Sequence, residues 1–155
     1  MYERILVAID AMPTDENKSA LKRTEQIGRL TGATVYILHV ARGHIVPGDI
    51  TGGAGLGVRS ADDDVEVADR QAVQALVDQL AAAGIDARGE MVSATEHDVA
   101  SVILQRAREL DVDLLILGHQ HHRGAGNLFR ASVAEQIIHR HPPISILLAR
   151  PPAAS

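Results

Sequence analysis

Two kinds of hydrophobic pattern alternate along this sequence, and the alternation restricts the chain to a small group of folds. Short apolar runs, typical of strands covered on both faces, are separated by segments whose apolar residues recur at helical spacing. The predicted strands are residues 5–9, 34–40, 85–94, 113–118 and 144–149. Because crossover connections are right-handed, five strands joined by four helices predict an α/β fold, a doubly wound, Rossmann-like parallel sheet with helices on both faces.

The ends of the elements carry recognisable signals. Gly32 is the predicted stop of the first helix and Gly84 that of the second, and the fourth helix is predicted to begin near Ser132. The third strand, 85–94, is only partly apolar and alternates in part. We therefore expect it near an edge of the sheet.

Composition narrows the classes of function. The 155 residues predict a single domain, 1–155, and its core must be aliphatic because 46% of residues are hydrophobic but only 2% aromatic. A net charge of −5 argues against nucleic acid as a partner. The chain has no cysteine, which excludes disulfides and thiolate catalysis. No apolar run is long enough to span a membrane, and no signal-like segment opens the chain, so we expect a cytoplasmic protein without a membrane partner.

A glycine-rich segment, 41–60, interrupts the alternation. It contains six glycines, and a loop of this length is predicted to be a flexible surface excursion. Its GGAGLG run lacks the spacing of a dinucleotide fingerprint and does not open a helix directly after a strand.

The segment GHQHHRGAGNLFRAS, from Gly118 to Ser132, follows the fourth strand and precedes a helix. With the first strand ending before Asp10 and the second ending in His39-Val40, it makes nearly the whole chain resemble the universal stress protein family. ATP-binding members of that family carry G-x-x-G, nine residues and then G-[ST] in this loop. The length is kept here, but His121 and Ala131 stand at the second and third glycine positions.

The resemblance implies a fold and a site. The strand order would be 3-2-1-4-5, with an adenine nucleotide over the carboxyl ends of the first and fourth strands, where the order of an open sheet reverses. The residues implied to contact it are Asp10, Val40, Gly118, His121, Gly124, Ala131, Ser132 and Val133. No cofactor is assigned firmly, and ATP or another adenine nucleotide is the candidate ligand.

The two replaced glycines predict weak or absent ATP binding. A phosphate must approach successive backbone N–H groups closely, and a Cβ blocks that approach or disfavours the backbone conformation that aims the amide. Each replacement costs about 1–2 kcal/mol, or about tenfold or more in affinity. Retained binding through Asp10, Gly118, Gly124 and the helix at Ser132 is the alternative.

Two of these residues have structural explanations that stay open beside the functional ones. Asp10 can accept hydrogen bonds from a ribose, but a loop aspartate can equally cap a helix or bind local amides. Ser132 and Glu135 have the spacing of a capping box, whereas the same helix start can also bind a phosphate through its free N–H groups.

Other functions are weighed on specific residues. His119, His121 and His122 invite a metal site, but a glycine-bearing loop is a poor frame for three or four ligands, so we assign no metal. No nucleotide-hydrolase or nucleophile motif is present, which predicts a protein that is not an enzyme, with slow nucleotide hydrolysis as the alternative.

The last strand predicts self-association. It begins at Ile144 and ends at Ala149, and as an apolar edge strand it would invite aggregation unless it is covered. Pairing with the same strand of a second copy gives a two-fold homodimer, which the family resemblance also implies. The sequence therefore predicts a homodimeric regulatory or stress-response protein whose other protein partners stay open.

Overall fold

A computed structural model describes residues 1–9, 15–42, 61–94, 98–118 and 133–151, except for the side chains of 15–16, 42 and 61–65. Strands and helices alternate along the described chain. They are β1 (Arg4–Ile9), α1 (Asp15–Thr31), β2 (Thr34–Arg42), α2 (Ala61–Ala82), β3 (Ala87–Ala94), α3 (Val99–Glu109), β4 (Leu114–Gly118), α4 (Val133–His139) and β5 (Ser145–Ala149).

The five strands form one parallel sheet in the order β3-β2-β1-β4-β5. The predicted α/β class, the parallel pairing and the 3-2-1-4-5 order are therefore confirmed. β1 lies at the centre and pairs with β2 on one side and with β4 on the other. The chain builds the sheet outward from β1 in one direction and then returns to build it in the other.

Two hydrophobic cores lie on the two faces of the sheet, because successive residues of a strand point to opposite faces. Ile5 and Val7 of β1 pack into the core that α1 and α2 cover. Leu6, between them, packs into the core that α3 covers together with Ala134 and Ile137 of α4. Helices thus lie on both faces, as the sequence predicts, and all three β1 residues are at most 1% exposed.

The end of β2 differs slightly from the predicted strand, whereas β3 lies at an edge of the sheet as expected. β2 continues two residues beyond Val40, where Ala41 and Arg42 pair with β3. The prediction that the glycine-rich excursion begins at 41 is wrong for these two residues, because β3 supplies hydrogen-bonding partners that extend the strand. The remainder, 43–60, lies outside the described residues. β3 is exposed or half-buried along its length, as expected for an edge strand.

Two helices end where glycine predicts an end. Gly32 follows α1 with a φ of +68° and Gly84 follows α2 with a φ of +82°. Glycine adopts this left-handed backbone without the steric cost that a Cβ imposes.

An ion-pair cluster fastens α3 to the β3 edge of the sheet. The Arg106 guanidinium donates to both carboxylate oxygens of Glu90, each at 2.6 Å from its Nη2. It also donates to Glu109 on its own helix. The Glu90 and Glu109 carboxylates raise the pKa of Arg106, and the guanidinium together with Gln105 lowers the pKa of Glu109.

Helix α2 approaches β3 closely at Gly89. A Cβ built on Gly89 would lie 2.7 Å from Cγ1 of Val73 and 2.9 Å from Cγ2 of Val77, both on α2. Valine is stiff about χ1, so neither side chain can swing aside without moving the helix. The absence of a side chain at 89 therefore sets the distance between α2 and the sheet.

We expect Gly89→Ala to destabilise the protein by about 1–3 kcal/mol, because the added methyl overpacks the contact between helix and strand. The free energy of unfolding, measured by urea denaturation, checks this. Gly28→Ala is the control: alanine favours the α1 helix by about 1 kcal/mol, and the nearest atom to its Cβ is the side-chain Cδ1 of Ile85, at 3.2 Å. Equal stability of the Gly89 and Gly28 variants would contradict the close approach.

Candidate functional site

The order of the sheet reverses at the carboxyl end of β1. β2 and β4 flank β1 and run parallel to it, and the chain reaches them through helices on opposite faces. In open α/β sheets the ligand crevice lies outside the strand ends at this switch point, because the connections diverge there and leave a gap. The strand order thus puts the topological switch point at the carboxyl end of β1, where the sequence predicts a ligand crevice.

Val40 lies at the β2 side of this crevice. The last paired residues of β1 and β2 are Ile9 and His39, so Val40 is the first residue of β2 beyond the described end of β1. Its side chain is buried in the core that α3 covers. The side chain of Val40 is thus occupied in the core, and the predicted contact of its main chain with a ligand stays a prediction.

Gly118 lies at the β4 side. The pairing of β1 with β4 ends at Ala8 and Leu117, and Gly118 follows as the last residue of β4, paired with Ala149 of β5. Val133 begins α4 one residue after Ser132, and Ala134 and Ile137 anchor this short helix in the core. The helix start that the sequence predicts near Ser132 is confirmed.

The other predicted contacts, Asp10, His121, Gly124, Ala131 and Ser132, lie outside the described residues, as do His119 and His122. Their roles stay predictions. Of the eight predicted site residues the structure thus describes Val40, Gly118 and Val133.

The structure adds a histidine that the sequence analysis did not single out. His39, the residue of β2 paired with Ile9, is only 4% exposed. Its Nδ1 lies 3.2 Å from the carbonyl oxygen of Ile9, and its Nε2 lies 3.2 Å from Oδ2 of Asp69 on α2. One imidazole therefore bridges the carboxyl end of β1 and the helix that covers β2 and β3.

Both partners leave a signal in the sequence. His39 is the buried polar side chain of the mainly apolar run TVYILHV. Asp69 precedes Val73 by four residues, which places a carboxylate on the apolar stripe of α2. A carboxylate on the buried stripe of a helix is costly unless it is paired. Opposite a buried histidine, it therefore predicts that the two side chains form a hydrogen-bonded pair.

A cleft of about 710 Å³ opens at the other end of the strands, at the amino ends of β1, β4 and β5. Its charged groups join elements of the fold. Arg4 donates to Asp111 at 2.8 Å, and the Asp113 carboxylate accepts the backbone N–H groups of Glu3 and Arg4. Since ligands of open sheets bind at the carboxyl ends, the crevice beyond Ile9 is the better candidate.

Among the described residues, which do not include the loop histidines, no three His, Cys, Asp or Glu side chains group as metal ligands. No helix in the same part of the chain is long and apolar enough to cross a membrane.

Solved structures with the same fold include three from different organisms. A universal stress protein family member from Burkholderia pseudomallei has a TM-score of 0.68 at 21% identity, over 95% of each chain. The Archaeoglobus fulgidus universal stress protein in complex with dAMP has a TM-score of 0.63 at 19% identity, over 96% of this chain and 98% of that one.

A family member from Arabidopsis thaliana with AMP bound has a TM-score of 0.62 at 18% identity, over 97% of this chain and 93% of that one. No curated protein sequence matches this chain. The sequence model of the universal stress protein family, however, matches residues 1–150. Together with the sheet order, this match over nearly the whole length shows that the chain belongs to the universal stress protein family.

Proposed function

We propose that this chain is a homodimeric regulatory protein of the stress-response type that binds an adenine nucleotide mainly through its nucleoside, and binds ATP weakly. The observation that carries the proposal is the switch point between β1 and β4, with the main chain of Val40 on one side and Gly118 on the other. Relatives of the same fold are solved with dAMP and with AMP, which supports an adenine ligand. The cytoplasmic location stays a prediction.

The nucleoside half of the site retains its expected groups. Asp10 directly follows β1 and is positioned in the sequence to accept hydrogen bonds from ribose hydroxyls. Val40, two residues before the end of β2, is expected to offer main-chain groups, and its side chain is buried in the core that α3 covers. Neither contact depends on the glycines of the fourth-strand loop.

The phosphate half has lost two of its family glycines. His121 and Ala131 stand where nucleotide-binding members carry glycine, so a phosphate chain meets Cβ atoms at two of three signature positions. We therefore propose that the protein acts through binding and not through catalysis, since hydrolysis requires a phosphate chain held in one geometry. A retained ATP site is the alternative.

We expect the wild-type chain to bind ATP no more than about tenfold more tightly than adenosine, because the loop adds little phosphate affinity. The double variant His121→Gly with Ala131→Gly should raise ATP affinity by about a hundredfold and leave adenosine affinity unchanged. Isothermal titration calorimetry measures both, and chromatography of the recovered ATP should show it intact.

His122→Gly is the matched control, because it removes a loop histidine at a position that the family signature does not use. It should leave ATP affinity unchanged. Tight ATP binding by the wild-type chain, or an equal gain in the control and the double variant, would contradict the proposed loss. Release of ADP would favour slow hydrolysis.

The position of β5 at the edge of the described sheet supports the homodimer. β5 pairs with β4 on one side and stands last in the sheet order. Ile146, Leu147 and Leu148 are only partly buried, although all three are apolar. Pairing of β5 with β5 of a second copy would satisfy the edge and cover these side chains in a closed two-fold arrangement.

We expect a mass of twice 16.5 kDa by light scattering at micromolar concentration. Leu147→Lys should yield monomers, because two lysines would meet across the two-fold axis. Leu76→Lys, at a partly buried position on α2, is the control for general loss of packing and should stay dimeric. A wild-type monomer, or a dimer that persists in Leu147→Lys, would contradict pairing through β5.

A further inference from the structure

His39 is the titratable member of a small set of buried polar side chains. Among the described residues that set is Asn17, Thr24 and His39, and the Thr24 hydroxyl donates to the Ala20 carbonyl within its own helix. His39 instead joins three elements, with its own strand β2 between Ile9 of β1 and Asp69 of α2. Its removal would therefore change how those elements are held together.

The two contacts fix the number of protons on the pair. The Ile9 carbonyl can only accept, so the Nδ1 of His39 must carry a proton. On the other side, an ionised Asp69 carboxylate can also only accept, so Nε2 must carry a proton as well. A neutral ring that donates through Nδ1 would turn its Nε2 lone pair toward the carboxylate oxygens. Both contacts are hydrogen bonds at the same time only when the pair holds one proton more than a neutral imidazole and an ionised carboxylate.

Two charged side chains described on the neighbouring elements, Arg70 and Glu90, are engaged with other partners. On α2, Arg70 pairs with Glu66 at 2.7 Å on the surface. On β3, Met91 is opposite His39, and the neighbouring Glu90 points to the other face, where Arg106 binds it. Among the described side chains of α1, which covers the same face, the buried polar ones are Asn17 and Thr24, both uncharged.

We propose that His39 and Asp69 form a proton-dependent latch that holds the carboxyl end of β1 and thereby regulates the adenine site. The regulatory part rests on the proposed function, because Ile9 is the residue before Asp10 and its partner His39 is the residue before Val40. With the extra proton, imidazolium and carboxylate are hydrogen-bonded and both strand ends are fixed. When rising pH removes it, two lone pairs face each other and the contact to α2 is lost.

Asp69→Asn separates the latch from simple packing. An asparagine amide can donate to Nε2 of a neutral ring while Nδ1 still donates to Ile9, so every contact is satisfied without the extra proton. The variant keeps the size of the side chain and the contacts of His39. It should therefore fold and bind normally but lose the pH dependence.

Adenosine is the probe, because the phosphate of a nucleotide itself titrates near neutral pH. We expect wild-type affinity for adenosine to fall by about tenfold between about pH 5.5 and pH 8.5, as one charge-assisted hydrogen bond is lost. Asp69→Asn should show a flat profile. Asp78→Asn on the same helix, where Asp78 accepts from exposed Gln74, is the charge-matched control and should follow the wild type.

A ligand-free measurement tests the latch separately. The thermal midpoint of the wild type should fall relative to that of Asp69→Asn as pH rises, and nitrogen NMR at acidic pH should show protons on both ring nitrogens of His39. The latch would be overturned if the thermal midpoints of the two proteins changed equally with pH. It would also be overturned if adenosine affinity depended on pH as steeply in Asp69→Asn as in the wild type. If adenosine binds neither protein at any pH, the proposed function and the regulatory part both fail, and the midpoints still decide whether the latch exists.

Discussion

Burial of β1 on both faces and along both edges is the constraint on which the rest of the structure depends. Ile5 and Val7 fill the core under α1 and α2, Leu6 fills the core under α3, and β2 and β4 supply the hydrogen bonds on either side. The two neighbours of β1 are reached through helices on opposite faces of the sheet: α1 leads to β2 on one face and α3 leads to β4 on the other. The switch point at its carboxyl end follows from this arrangement, and open α/β sheets bind their ligands at such a point.

Hydrophobic periodicity was sufficient to predict the elements but not their order. The runs at β1 and β4 are apolar on both faces because both strands are covered twice, and such runs look alike whichever position a strand occupies. The partial alternation of β3 placed it at an edge, since one side of an edge strand meets solvent. The order of the remaining strands came from resemblance to the universal stress protein family. The extension of β2 through Arg42 was missed, because Ala41 and Arg42 are not apolar enough to continue the run, and pairing with β3 overrides that signal.

For the candidate site, too, the sequence predicts some features and not others. Gly118 is the last residue of β4 and Val133 the first of α4, close to the predicted bounds, whereas β2 passes the predicted end at Val40 and stops at Arg42. The bridge from His39 to Asp69 was not predicted, because its two residues are thirty positions apart and nothing local in either segment names the other. The pair follows only when the register that puts His39 beside Ile9 is known together with the face of α2 that meets the sheet.

The central claim is that the ligand crevice lies at the carboxyl ends of β1 and β4. Chemical-shift changes of backbone amides in labelled protein, followed during titration with adenosine, test it most directly. We expect the largest chemical-shift changes at Val40 and Gly118. Little change is expected at Arg4 and Ser145, which border the cleft at the amino ends of the strands. Changes centred on Arg4 and Ser145 would contradict it, because the ligand would then occupy the wrong end of the strands.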